Sequence, residues 1–116
     1  MSDPSPDADL AAWGKVIRLE TVGRRTGRPR IVTVGFVPAG GEALLVAASS
    51  DSTGWAVNLR ARGSCAVELN GERRPFTATE LGADERATVV RDLILKYGTP
   101  AERLGAGPAF RLDPAR

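Results

Sequence analysis

The chain has 116 residues, 42% hydrophobic and 26% charged, which suits one globular domain and excludes a disordered or collagen-like polymer. It contains no histidine and one cysteine, Cys65. Histidine-based triads, histidine-ligated zinc, internal disulfides and dithiol redox motifs are therefore excluded, which leaves cofactor chemistry, carboxylate or tyrosine chemistry, or plain binding.

Residues 1–15 read as an N-terminal tail followed by a short helix, with Asp7 as its cap, Trp13 near its end and Gly14 closing it. The opening Met-Ser-Asp-Pro-Ser-Pro-Asp is acidic, unlike the basic start of a signal peptide. No stretch reaches the roughly 18–20 apolar residues of a membrane span. The expectation is a cytoplasmic protein without membrane attachment, and the lone thiol agrees with it. Residues 16–116 read as a single domain.

Val16 to Val22 alternates and predicts a strand with Ile17 and Leu19 facing a core. Arg30 to Val37 predicts a second strand, Pro38 to Glu42 a hairpin turn, and Ala43 to Ser49 a third, almost wholly apolar strand. Ser50 to Gly54 offers several helix caps before a short helix from Trp55 to Arg62 that ends at Gly63. Ser64 to Leu69 and Glu72 to Leu81 predict two strands joined by the hairpin signal Asn70-Gly71. Asp84 to Tyr97 is the one long helix, with Val90, Ile94 and Tyr97 on one stripe, and a last strand lies near Ala109 to Leu112. Hairpins dominate this order, which indicates an α+β, mainly β fold: an antiparallel sheet curled into a small barrel with short flanking helices.

The formal charge is +2, and Gly23 to Arg30 carries four arginines without an acid. The remaining chain is net negative, so the basicity belongs to one loop. A nucleic-acid binder usually spreads its positive charge over a broad face, and no nucleic-acid partner is expected. Of the 16 basic residues 14 are arginines, whose planar donor forks match phosphate and carboxylate. A ligand loop and an ordinary solvated turn both remain open on these grounds.

Thr21-Val22-Gly23-Arg24-Arg25-Thr26-Gly27-Arg28-Pro29-Arg30, then Val46-Ala47-Ala48-Ser49-Ser50, then Trp55-Ala56-Val57-Asn58-Leu59-Arg60-Ala61, resembles the deazaflavin-dependent nitroreductase family. These are split β-barrel, flavin-reductase-like oxidoreductases that use the reduced coenzyme F(420). The resemblance runs from about Val16 to Leu81 and more loosely to the last strand. It implies hydride transfer from the coenzyme to a small conjugated, quinone or nitro acceptor. The coenzyme is a long anion, with a phosphodiester and a polyglutamate tail, and has a flat apolar head. The reactive carbon then belongs to the coenzyme and not to a side chain, which accounts for the missing histidine.

The resemblance implies that Arg24, Arg25 and Arg30 bind the anionic part through charge-assisted forks, with Thr26 as a hydroxyl donor. Gly23 and Gly27 would let backbone N–H groups turn towards it. Ser49 and Ser50 would approach ring and phosphate, with Trp55 and Asn58 beside them. Trp55 reads equally as an anchor for its helix. Asn58 reads as a structural amide. Tyr97, the only tyrosine, matches a position where relatives carry a proton donor, and its place on the helix stripe equally makes it a core aromatic. Cys65 reads as a small core residue. No metal site is expected.

Two departures stand out. The family commonly has Ser-Lys-Gly-Gly where this chain has Ser50-Asp51, which replaces a cation by a carboxylate and should weaken anion binding. The segment from Gly98 to Gly105 lacks further tyrosines. A redox-inactive split-barrel binding protein that has lost or changed the cofactor is the alternative. A homodimer is what the resemblance implies, with a monomer left open by the short chain.

Overall fold

A computed structural model describes residues 16–23, 25–97 and 107–115. The expected tail and helix over residues 1–15, Arg24 and the loop after the long helix lie outside the described residues. Seven strands form one antiparallel sheet: β1 (Ile17–Val22), β2 (Pro29–Val34), β3 (Val37–Pro38), β4 (Leu44–Ala47), β5 (Ser64–Leu69), β6 (Glu72–Glu80) and β7 (Ala109–Pro114). Their order across the sheet is β2-β1-β5-β6-β7-β4-β3. Among the described residues two helices flank it, α1 (Gly54–Arg62) and α2 (Ala83–Tyr97).

The alternation in β1 works as expected, since Ile17 and Leu19 are fully buried. The β5–β6 hairpin turns on Asn70 and Gly71, both with positive φ (55° and 80°), the twist that matches two right-twisted strands.

The second strand departs from its expected run. It breaks at Gly35-Phe36, so that β2 pairs with β1 at one edge while β3 pairs with β4 at the other. Three residue steps span at most about 11 Å, so this break holds the two edges of the sheet near each other and curls it. The cause is α2. A Cβ on Gly35 would lie 2.8 Å from Tyr97 Cε2, so the ring of Tyr97 uses the space that only glycine leaves. Phe36 N–H donates to the Tyr97 hydroxyl at 3.1 Å, and Lys96 Nζ donates to the Phe36 carbonyl at 2.8 Å. A peptide bonded to a helix in this way cannot also continue the β2 ladder.

The curled sheet encloses Ile17, Leu19, Val46, Val67, Phe76, Phe110 and Leu112, and α1 closes this core with Trp55, Ala56 and Leu59. Gly63 ends α1 in the left-handed conformation (φ 68°), and its N–H bonds to Leu59 O at 2.7 Å. On α2 the buried positions are Val89 and Leu93, one residue round from the expected stripe; Val90, Ile94 and Tyr97 are only partly buried beside them. The helix packs on β3, β4 and β7, where Val89 and Leu93 form a second small core with Ala47 and Ala109. Cys65 packs against the main core as expected, and burial pushes its thiol up to about 11, far from the reactive range.

Candidate functional site

The β1–β2 hairpin loop is closed by Gly23 N–H to Arg28 O and Gly27 N–H to Gly23 O, both at 2.9 Å. Gly27 takes positive φ (69°), but Gly23 does not. Gly23 leaves room instead, because a Cβ there would lie 2.7 Å from Thr26 Oγ1 and would make that hydroxyl turn away. That oxygen accepts Arg28 N–H at 3.2 Å, so the Thr26 hydroxyl shapes the loop while keeping its own proton available.

This loop faces the N-terminus of α1 across an open cleft of about 350 Å³. Gly23, Arg25, Thr26 and Arg30 line one wall, and Ser52, Gly54, Val57 and Asn58 the other. No carboxylate is among these lining residues. Arg25 and Arg30 are exposed and make no ion pair with any described residue, whereas Arg60, Arg73, Arg74, Arg91 and Arg111 each face a carboxylate.

The α1 wall is held from behind. Asn58 is buried and donates through Nδ2 to Thr21 Oγ1 at 3.0 Å, which ties the helix to β1 and satisfies both groups. Trp55 is buried against Phe110, ring centroids 6.0 Å apart and planes tilted by 58°, a helix anchor. At the helix start no side chain caps the first turn. The Thr53 hydroxyl instead accepts Ser50 N–H at 3.2 Å and lies 3.3–3.5 Å from the Ser50 and Ser49 hydroxyls. Ser49 and Ser50 thus build the turn that leads into α1, and neither lines the cleft. Helix N-termini attract anions through their N–H groups and dipole, and this one opens beside two arginines.

The remaining expected residues fall elsewhere. Asp51 is turned to Arg60, whose Nη2 bonds its Oδ1 at 3.2 Å while Nε and Nη2 hold Glu80 at 2.8 Å. The pairing with Arg60 also lowers the Glu80 carboxyl below its usual range. The Tyr97 hydroxyl sits at Phe36, within 3.1 Å of its N and 3.3 Å of its O, and Tyr97 is not among the residues lining the cleft. Arg24 lies outside the described residues. Three lining residues escaped the sequence reading: Ser52, Gly54 and Val57. Their signal in the sequence was their place in and just after the run Ser50 to Gly54 that leads into α1.

A curled antiparallel sheet with a cationic cleft between its first hairpin and the following helix has the form of a split-barrel, cofactor-binding protein. The model of the F(420)H(2)-dependent quinone reductase family matches residues 9–103, and the chain belongs to that family. It is thus an oxidoreductase whose cofactor is coenzyme F(420). Solved structures agree on the fold. An F(420)-H(2) dependent reductase, FDR-A, is 23% identical with a TM-score of 0.69, over 85% of this chain and 94% of that one. HutZ, the heme storage protein from Vibrio cholerae, is 20% identical with a TM-score of 0.69, over 97% of this chain and 90% of that one. A protein described as a domain-swapped dimer is 22% identical with a TM-score of 0.68, over 85% of this chain and 80% of that one. Among the described residues no helix is long and apolar enough to cross a membrane.

Proposed function

We propose that this chain passes a hydride from reduced coenzyme F(420) to a small quinone-type or similarly conjugated acceptor. In this reading the cleft between the first hairpin and α1 holds the anionic part of the coenzyme. The observation that carries this reading is the lining itself: two exposed arginines, a threonine hydroxyl and an uncapped helix start converge without a carboxylate. About 350 Å³ lies at the small end of ligand pockets, which run from roughly 300 to 1,000 Å³, so the cleft fits a phosphate or tail segment and leaves the flat head outside it.

When bound, the coenzyme supplies the hydride from its own ring. The chain's part is to hold and orient. Arg25 and Arg30 offer planar forks to phosphate or carboxylate oxygens, Thr26 adds a hydroxyl, and the first-turn amides of α1 add backbone donors. Asn58 and Trp55 keep that helix in place. Ser49 and Ser50 act through the turn and not by direct contact. Tyr97 serves as the pin that bends the chain at Phe36, and the proton that an acceptor needs comes from solvent or another group. The domain-swapped relative supports a homodimer as the assembly.

Titration of the purified chain with coenzyme F(420), followed by deazaflavin fluorescence, tests this reading. Saturable binding that weakens with salt, together with quinone reduction that needs the coenzyme and not NADPH alone, is the expected result. Steady NADPH oxidation without deazaflavin would overturn it.

A further inference from the structure

The chain that runs from β4 to the cleft wall of Ser52 and Gly54 is met at Ala48 and Ser50 by a residue distant in sequence. The β4–β7 ladder continues one step past its last pair, with Ala48 N–H donating to Pro108 O at 2.8 Å. One residue earlier, Gly107 lies flat against the chain that leaves β4. A Cβ on Gly107 would sit 2.3 Å from Ala48 O, 2.6 Å from Ser50 N and 2.8 Å from Ala48 C. All three are backbone atoms, so no side-chain rotation can make room. At Gly54 and Gly82, by contrast, an added Cβ meets nothing within 4 Å.

We propose that Gly107 is a positioning residue for coenzyme binding: its bare backbone sets the Ser50–Thr53 turn and thereby aims the first turn of α1 into the cleft. The linkage is continuous. Ser50 N–H donates to Thr53 Oγ1, and Ser50 O accepts Thr53 N–H at 3.3 Å. Thr53 O in turn accepts Val57 N–H at 3.0 Å, the first bond of the helix. A shift forced on Ser50 therefore reaches Thr53, and Thr53 carries Gly54 and the amides behind it. Those amides are the donors assigned to the anion, so the proposal rests on the coenzyme reading of the cleft. Bringing a 2.3 Å approach out to ordinary contact takes about 1 Å, and a helix start that takes up part of this shift loses the donor alignment that makes a charge-assisted bond strong.

The test compares Gly107→Ala and Thr53→Val with Gly63→Ala in the full chain. Gly63 has positive φ (68°) at the opposite end of α1 and does not line the cleft, so its alanine variant strains the same helix without touching the turn. Two readouts are taken: coenzyme affinity by fluorescence, and hydrogen exchange of residues 50–57 without coenzyme. Gly107→Ala and Thr53→Val should each lose about tenfold or more in affinity, the scale of one charge-assisted bond, and exchange faster over residues 50–57. Gly63→Ala should melt earlier yet keep its affinity within about twofold and its exchange at the turn unchanged. Wild-type affinity in Gly107→Ala, or an equal loss in Gly63→Ala at equal melting temperature, would overturn the proposal. If Gly107→Ala gives no folded protein, Thr53→Val decides by the same criteria. Exchange separates the two readings. A wild-type chain that binds no coenzyme overturns the cleft assignment, while unchanged exchange in both turn variants overturns the positioning linkage itself.

Discussion

Two cavities of equal volume, about 350 Å³ each, lie towards opposite ends of β1, and they differ in what their polar groups are doing. The cleft at the Gly23 end is lined by arginines without carboxylate partners. The cavity towards the Ile17 end has a floor of Phe36, Leu44, Val67 and Phe76, and its one arginine, Arg74, is forked onto Glu42 at 2.7 and 2.9 Å. That pairing holds the Glu42 carboxyl below its usual range. Equal volumes thus carry unequal chemistry. An arginine already paired with a glutamate must break that pair to take a ligand, whereas Arg25 and Arg30 need only shed water. The first cavity is therefore read as the anion site and the second as the paired-off end of the barrel.

The sharpest way to break this comparison is to remove the unpaired cations. Arg25→Ala with Arg30→Ala should lower coenzyme affinity by roughly 10²-fold or more, since a hydrogen bond to a charged group contributes about 1.5–3 kcal/mol. Melting should stay within about 0.5 kcal/mol, because exposed residues without partners add little to stability. The salt dependence of binding should flatten in the double variant. Unchanged affinity would make the loop an ordinary basic turn and erase the difference between the two cavities.

The wall across the cleft from those arginines should respond differently, through stability first. Asn58→Ala leaves the Thr21 hydroxyl buried without its amide partner, a loss of about 1–3 kcal/mol in chemical denaturation. A change below about 0.5 kcal/mol would mean that the amide serves the ligand and not the fold.

Tyr97→Phe probes the other end of the molecule. Its hydroxyl bonds the Phe36 peptide at the break between β2 and β3, so its loss should cost about 0.5–1.5 kcal/mol. Coenzyme affinity and quinone turnover should stay within a few-fold. A drop of about 10²–10⁴-fold in turnover with intact binding would instead identify Tyr97 as a proton donor.

These variants also mark where sequence reading stopped. Local rules found the strands, because alternation, Asn70-Gly71 and the Gly63 stop are written within a few neighbouring residues. The arginine loop was visible as a run of like charge. The break at Gly35-Phe36 was not, since it depends on a tyrosine about 60 positions later filling the space above a glycine. Nor was the engagement of Ser49 and Ser50 by Thr53, because a serine offers the same hydroxyl to a turn as to a phosphate. Asp51 shows the point most clearly. By sequence it is a carboxylate where the resemblance leads one to expect a lysine, and only the fold brings to it Arg60, which also holds Glu80.

That trio yields the smallest and most discriminating test of the cleft's electrostatics. Asp51 is flanked by Ser50 of the turn and Ser52 of the cleft wall, and its charge is shared with Arg60, which also holds Glu80. If Arg60 keeps the Asp51 charge from acting on the anion site, Arg60→Gln should weaken coenzyme binding by roughly two- to fivefold, the scale of one exposed, screened charge. Asp51→Asn should strengthen binding by a similar factor or leave it unchanged. The double variant is the deciding case. If Arg60 acts through Asp51, Arg60→Gln with Asp51→Asn should bind at least as tightly as wild type, and the two effects should be non-additive. If Arg60 instead supports α1 through Glu80, removing Asp51 rescues nothing, and Glu80→Gln should reproduce the loss. Raising the salt concentration should shrink the Arg60→Gln effect in the first case, because the repulsion it releases is screened, and should leave it in place in the second.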